Sequence, residues 1–298
     1  MREPGRLITA MATPFLGDGS LNRDGAARLA RHLVDTGTET VLVNGTTGES
    51  PVLTHAEKFD LLDIVRGAVG RDAAVMMGTG TNSTSDSISL TREAEDHGAD
   101  LILLVAPYYN KPPQEGLFSH FAAIANATRL PVMLYNVPGR TSSDILPETV
   151  IRLSEISNIF AVKEASGQVT RTAEILNGAL PGFRVYSGDD ALTLPILSLG
   201  GHGIVSVLSN LDGRPLRRLI DAYVRGAVTE AAAAHRELLP LFKALFITTS
   251  PIPLKAALKI MGLPGGSCRP PLVDATPAEV IVIRKAMQAA RLLQDGDK

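Results

Sequence analysis

Lys163 closes an apolar run, IFAVKEASG at 159–167, where a charged amine has no packing reason to be. An amine with a dry stem and apolar neighbours is more easily freed of its proton, and a free amine attacks carbonyl carbon. That is the chemistry of a Schiff-base lysine. The other seven lysines fall in helix-like or loop stretches, which sets this one apart. A structural reading stands beside it, because a lysine at a strand end can lay its stem on apolar surface and keep its head in water. The company it keeps has to decide.

Imine chemistry on a 2-oxo acid makes three demands. A proton shuttle must dehydrate the carbinolamine and interconvert imine and enamine, and tyrosine with threonine relays protons without adding a fixed charge. The acid's carboxylate needs donors, which paired threonine hydroxyls and turn amides supply. A second carboxylate, on an electrophilic partner, would call for the planar fork of an arginine. The chain offers these types at the ends of its apolar runs: Asn44 to Glu49 with Thr46 and Thr47, then Tyr108, Tyr109 and Asn110, then Tyr135 to Thr141 with Arg140, then Lys163 and Glu164, then Ser187, Gly188, Asp189 and Asp190. Each has a plain structural reading too. GTTG can be an ordinary turn with capping threonines, PYYN aromatic packing, Tyr135 a core tyrosine, Arg140 a surface ion-pair donor, and the two aspartates helix caps.

The elements that must position them follow from periodicity. RLITAMATP, TVLVNGTT, AAVMMGTG, LILLVAPYYN, PVMLYNVP, IFAVKEAS, FRVYSGDD and GIVSVLSN read as eight strands, each too uniformly apolar for a half-exposed sheet. Amphipathic stretches such as DGAARLARHLVDTG, EKFDLLDIVRGAV and PETVIRLSEIS fall between them, several opened by capping-box spacing, as at Thr54–Glu57 and Ser83–Asp86. Repeated βα units over 1–225 predict an α/β chain folded as a (β/α)8 TIM barrel, whose strand ends meet on one face. After residue 225 the strand pattern stops. The stretch 226–298 reads as a C-terminal domain of three helices, the last opened by Thr276, Pro277 and Glu279 and running to Gln294.

Composition narrows the classes. With 29 basic and 31 acidic residues the formal charge is -2, which leaves no electrostatic footprint for nucleic acid or an anionic membrane. Residues 191–211 lack Asp, Glu, Lys and Arg, but Pro195, Gly200, Gly201, His202, Gly203 and Asn210 break them into a short helix, a turn and a buried strand rather than a membrane span. Cys268 is the only cysteine, so neither an intrachain disulfide nor a cysteine zinc cage can form, and a cytoplasmic location is expected. No targeting signal is evident at the N-terminus, where LITAMATPF reads as a strand. GTGTNS at 78–83 lacks the third glycine of a dinucleotide loop, no P-loop is present, and no His and carboxylate cluster calls for a metal.

Eight ordered motifs carry a resemblance through nearly the whole chain: GTTGES at 45–50, PYYNKP at 107–112, QEGL at 114–117, LYNVPGRT at 134–141, KEASG at 163–167, SGDD at 187–190, GGHGIVSV at 200–207 and PIPLK at 251–255. The chain resembles the dihydrodipicolinate synthase branch of the pyruvate-dependent class I aldolases, the family that includes N-acetylneuraminate lyase. The resemblance implies that Lys163 forms an imine with pyruvate and that Tyr135 is the main acid/base, relaying through Thr47 to Tyr109 from a neighbouring subunit. It implies Thr46 and Thr47 on the pyruvate carboxylate, with Gly188 and the Val205 backbone beside the pocket; many relatives have isoleucine at the latter position. Arg140 would receive the carboxylate of aspartate 4-semialdehyde, and the product would be 4-hydroxy-tetrahydrodipicolinate, on the way to diaminopimelate and lysine. No cofactor is implied. A homo-oligomer is, at least a dimer and by family habit a tetramer.

In lysine-sensitive members of that family a feedback pocket occupies positions matching Ser50, Pro51, His55, Lys58, Asn82, Asp86 and Tyr108. This chain departs from their pattern, with Lys58 where a histidine is common and Asp86 where a glutamate is. Two other functions remain open at this stage: a sibling aldolase acting on a sugar acid or hydroxy-oxo acid, and a catalytically silent barrel that binds pyruvate-like ligands. Arg140 speaks against the first, and the intact set of Lys163, Tyr135, Thr47 and Tyr109 against the second.

Overall fold

The structure is a computed structural model that describes residues 3–293. Eight parallel strands close into a barrel in sequence order: β1 (Leu7–Ala10), β2 (Thr40–Val43), β3 (Ala74–Gly78), β4 (Leu101–Val105), β5 (Val132–Asn136), β6 (Ile159–Glu164), β7 (Arg184–Ser187) and β8 (Gly203–Ser206). The ring shuts where β8 returns to β1, with Leu7 opposite Ile204. The fold is therefore the (β/α)8 barrel that the apolar runs predict. Side chains alternate across each strand, so one set faces the lumen and the other the helices. Ile8, Leu42, Met76, Leu103, Met133 and Tyr186 fill the inner core, while Leu7, Val41, Val75, Ile102, Leu134 and Val162 join the outer one. Covering on both faces is why the strands read as continuous apolar runs.

The strands are shorter than their apolar runs. RLITAMATP contributes only the four residues of β1, because pairing stops where the chain turns into the loops at the barrel mouth. Between strands lie α1 (Arg23–Asp35), α2 (His55–Val69), α3 (Thr84–Asp96), α4 (Gln114–Ala125), α5 (Pro138–Thr141), α6 (Pro147–Leu153), α7 (Arg171–Gly178) and α8 (Thr193–Ser198), and α9 (Arg214–Val224) follows β8. Thr54 and Glu57 form the complete capping box ahead of α2. At α3 only half of the expected box forms: Ser83 accepts from the Asp86 amide, but the Asp86 carboxyl does not bond back. Asp is one methylene shorter than the Glu that closes such a box. The uncharged stretch 191–211 resolves into α8, a turn and β8, and no described helix is long and apolar enough to cross a membrane.

Three further helices follow: α10 (Val228–Ala244), α11 (Ile252–Ile260) and α12 (Pro277–Ala289), the last opened by the complete Thr276–Glu279 box. Gln294, the expected end of that helix, lies outside the described residues. Leu238, Leu241, Phe242, Leu254 and Leu258 belong to the same outer core as the barrel helices, so the C-terminal helices are packed into the barrel wall.

Closure of the ring depends on a glycine. A Cβ on Gly203 would stand 2.1 Å from the Arg6 carbonyl oxygen, the acceptor of the Ile204 amide that joins β8 to β1. Gly203→Ala is therefore expected to lower unfolding stability by about 1–3 kcal/mol or more through forced backbone displacement. Gly67→Ala, inside α2 with open space around it, should stabilise by about 0.5–1 kcal/mol. Thermal unfolding of the two variants checks the pair of signs.

Candidate active site

Register brings the two central residues together. Tyr135 on β5 and Lys163 on β6 are direct pairing partners, and the alternation of both strands turns them into the lumen. Each is 5% exposed. The Lys163 Nζ sits 4.1 Å from the centroid of the Tyr135 ring, a cation–π contact, and no described carboxylate is within ion-pairing reach of it. The amine is buried without a counter-charge. Space for its stem comes from Gly188 at the end of β7, where a Cβ would meet Lys163 Cε at 3.2 Å and Ala165 Cβ at 2.7 Å. Val205, 1% exposed on β8, belongs to the same inner core as Tyr135.

The turn after β2 carries Thr46 and Thr47. Its backbone is closed by the Gly48 amide on Gly45 O at 3.1 Å and the Glu49 amide on Thr46 O at 3.1 Å, and the Thr13 hydroxyl donates to Gly48 O at 2.6 Å. Neither threonine hydroxyl is engaged by another described residue; Thr46 lines the cavity beside the turn, and Thr47 is 4% exposed. Asn44 and Glu49 flank the turn at φ 57° and 55°, left-handed values that non-glycine residues seldom adopt. A cavity of about 280 Å³ opens beside it, lined among others by Thr46, Tyr135, Val137 and Arg140. Arg140, in the short helix α5, is exposed and donates to Ser250 O at 3.3 Å, which braces its fork from the segment between α10 and α11.

Tyr109 is not brought into this subunit's site. It is 88% exposed at φ 76°, and the Asn110 amide bonds Tyr108 O at 3.0 Å across it, a strained γ-turn that thrusts the ring off the surface. No hydrogen bond links Tyr135, Thr47 and Tyr109 within the chain. Of the residues matching the feedback pocket, Ser50, Pro51, Lys58 and Tyr108 line the same cavity. His55 instead pairs with Glu93 at 2.9 Å, Asn82 gives its carbonyl to Asn110, and Asp86 is exposed in the first turn of α3. Among the described residues no group of three or more His, Cys, Asp or Glu side chains could hold a metal ion.

Behind the lumen stands scaffolding that the sequence reading missed. Asn136 and Glu164, each one residue beyond a central one, face outward as pairing partners. Asn136 Nδ2 donates to Glu164 Oε2 at 3.2 Å and Asp144 Oδ1 at 3.0 Å, while Arg171 grips Asp144 through two bonds of 2.6 and 2.8 Å. The Arg171 guanidinium holds the Asp144 carboxyl below its ordinary range. Asp190, read as a helix cap, is 1% exposed and ties β7 to β8, accepting from the Ser206 hydroxyl at 2.5 Å and from the Val207 and Leu208 amides at 3.0 and 3.1 Å. Asp189 is the cap, accepting from the Ala191 amide at 2.8 Å.

Burial pushes the Asp190 carboxyl up from 3.8 to about 6. Its folded value lies above its unfolded one, so this group's contribution to stability is full below the unfolded value and is lost as pH rises through about 6. Asp190→Asn removes the titration while keeping an acceptor. Between about pH 4 and 7, which brackets the change from 3.8 to about 6, the variant's melting temperature should shift less than the parent's by a few degrees. Parallel pH profiles would contradict that assignment.

The sequence and the fold match known proteins along nearly the whole chain. The sequence profile of the dihydrodipicolinate synthetase family matches residues 3–290. The 4-hydroxy-tetrahydrodipicolinate synthase of Moorella thermoacetica is 55% identical over 289 residues, which cover 97% of this chain and 99% of that protein. The crystal structure of dihydrodipicolinate synthase from Cyanidioschyzon merolae with lysine bound superposes with a TM-score of 0.96 at 47% identity, over 97% of this chain and 99% of that one. The chloride-inhibited enzyme from Acinetobacter baumannii, complexed with pyruvate, gives 0.95 at 35% identity over 98% of this chain and 100% of that one. With a profile match over almost its full length and relatives above half identity, the chain belongs to the dihydrodipicolinate synthetase family.

Proposed function

We propose that this enzyme condenses pyruvate with L-aspartate 4-semialdehyde through a Lys163 imine to give 4-hydroxy-tetrahydrodipicolinate, a step toward diaminopimelate and lysine. The buried amine of Lys163, stacked on Tyr135 and free of any described carboxylate, carries the reading. Its lone pair attacks C2 of pyruvate, and loss of water gives the imine. Removal of a C3 proton yields the enamine, whose C3 adds to the aldehyde carbon. The substrate's own amino group then attacks C2, the ring closes, and Lys163 leaves as the free amine. Tyr135, whose ring lies against the amine, would give and take protons at these steps. Thr46 and Thr47 offer hydroxyls to the pyruvate carboxylate, and Arg140 offers its fork to the carboxylate of the aldehyde.

The lysine itself does the chemistry, so the mechanism requires no metal and no nucleotide. The relay would be completed by Tyr109 of a neighbouring copy, which makes the working form a homo-oligomer, at least a dimer and by family habit a tetramer of two dimers. Its exposed ring on a strained turn supports that role. A cytoplasmic workplace is supported by the single cysteine.

Lys163→Arg should lose nearly all turnover, because a guanidinium keeps the charge but is not a usable nucleophile. Arg140→Ala should raise KM for the semialdehyde about tenfold or more with far less effect on pyruvate, since it removes a charge-assisted contact to one substrate alone. An unchanged semialdehyde KM in folded Arg140→Ala, with turnover of sugar-acid substrates, would favour the sibling aldolase.

Feedback by lysine is expected to be weak. Lys58 is half-buried in the cavity wall with no ion-pair partner among the described residues, and burial pulls its pKa down. While protonated it would face the side-chain ammonium of bound lysine at a cost on the order of 1 kcal/mol, roughly fivefold in affinity. Millimolar L-lysine should therefore inhibit little, and Lys58→His with Asp86→Glu should strengthen inhibition. Inhibition of the unaltered protein at micromolar lysine would contradict this account.

A further inference from the structure

The motif PIPLK ends on Lys255, a residue with no part in the chemistry above. It is as buried as Lys163, with a side chain 2% exposed, yet its surroundings are the opposite. Its Nζ lies 2.5 Å from Glu49 Oε1, whose side chain is 1% exposed, donates to Ser267 O at 2.9 Å, and sits 4.2 Å from the centroid of the Phe15 ring. The second oxygen, Glu49 Oε2, accepts the Arg269 amide at 2.9 Å. The Arg269 guanidinium packs on the same Phe15 ring and reaches Gly19 O, Val52 O and the Glu57 carboxylate. Two carboxylates, Glu49 and Glu57, and two cations thus knit the C-terminal segment to the turn after β2 and to the start of α2.

Stability alone does not account for such a pair. Removing two charges from water is costly, and apolar residues of similar size commonly replace a buried ion pair with no loss of stability. Location offers a reason. Glu49 is the last residue of the turn that carries Thr46 and Thr47; its amide closes that turn on Thr46 O, and its backbone holds a left-handed φ of 55°. With its side chain held from both oxygens, Glu49 cannot relax from that conformation without separating buried charges.

We propose that the Glu49–Lys255 ion pair is a positioning device, by which the C-terminal helices fix the turn after β2 so that the Thr46 and Thr47 hydroxyls stand ready for the pyruvate carboxylate. This rests on the assignment of those threonines to pyruvate. Lys255 and Glu49 are positioning residues, acting through the turn and touching no substrate.

The test is the charge-free pair Glu49→Gln with Lys255→Met, in which Gln keeps an acceptor for the Arg269 amide and Met keeps the packing on Phe15. The variant should melt within a few degrees of the parent, while kcat/KM for pyruvate and the rate of borohydride trapping with pyruvate fall about tenfold or more and KM for the semialdehyde changes by no more than about twofold. Lys255→Arg, which keeps the charge, should hold kcat/KM for pyruvate within about threefold of the parent. Parental kinetics in the folded charge-free pair would overturn the positioning role, as would a Lys255→Arg variant of parental melting temperature that is as impaired as that pair. Should the charge-free pair fail to fold, the Lys255→Arg arm decides, and a fall of about tenfold or more in its kcat/KM for pyruvate at parental melting temperature overturns the positioning role. Thr47→Val, run alongside, separates the two layers: a silent charge-free pair beside an impaired Thr47→Val overturns the positioning role alone, whereas a silent Thr47→Val overturns the threonine assignment and the inference built on it.

Discussion

A primary amine held among buried side chains with no described carboxylate in reach is the constraint on which the rest of the site depends. Lys163 and Lys255 make the point by contrast, since both are nearly sealed from water. Around Lys255 stand a carboxylate, a carbonyl and an aromatic face, which occupy its Nζ while burial pulls its pKa down. Lys163 has the face of Tyr135 alone among the described residues, and no ion pair or hydrogen bond occupies its nitrogen. A nucleophile needs the second environment. Gly188 is part of the same arrangement, because any side chain there would crowd the lysine stem.

The alternation of side chains along a strand then divides labour between the two faces of the barrel wall. Tyr135 and Lys163 face the lumen, and their neighbours Asn136 and Glu164 face the helices, where they are tied to each other and to Asp144. The proposed reacting pair and the clamp behind it are thus specified by consecutive residues of two adjacent strands. Asp190 plays the corresponding part between β7 and β8, bonding the segment just beyond Val205 through three contacts. The loops that complete the mouth are more strained than the strands, as the positive φ values of Asn44, Glu49 and Tyr109 record, and each is held by specific bonds rather than by packing alone.

Much of this was legible in the sequence for physical reasons. Strands covered on both faces must be apolar throughout, so a charged residue closing such a run, as Lys163 does, stands out; capping boxes such as Thr54–Glu57 and Thr276–Glu279 are local and therefore readable. What escaped notice was long-range or one residue off the obvious face. The bond from the Arg269 amide to Glu49 spans 220 positions, and no local pattern announces it. Lys255 sits at a helical spacing that suits an exposed lysine, so its burial was not expected. Asn136 and Glu164 read as strand-end members of the site and Asp190 as a helix cap, because a polar residue at a strand end is common, and only the fold shows which way each one points.

The most direct measurement of the central claim is reduction of the enzyme with borohydride in the presence of pyruvate, followed by intact-mass analysis and peptide mapping. An unpaired nucleophilic Lys163 predicts a single reduced pyruvyl group per chain, carried by that residue, with Lys255 unmodified under the same conditions. A pyruvyl group on any other residue, or none in a preparation that turns over substrate, would contradict it.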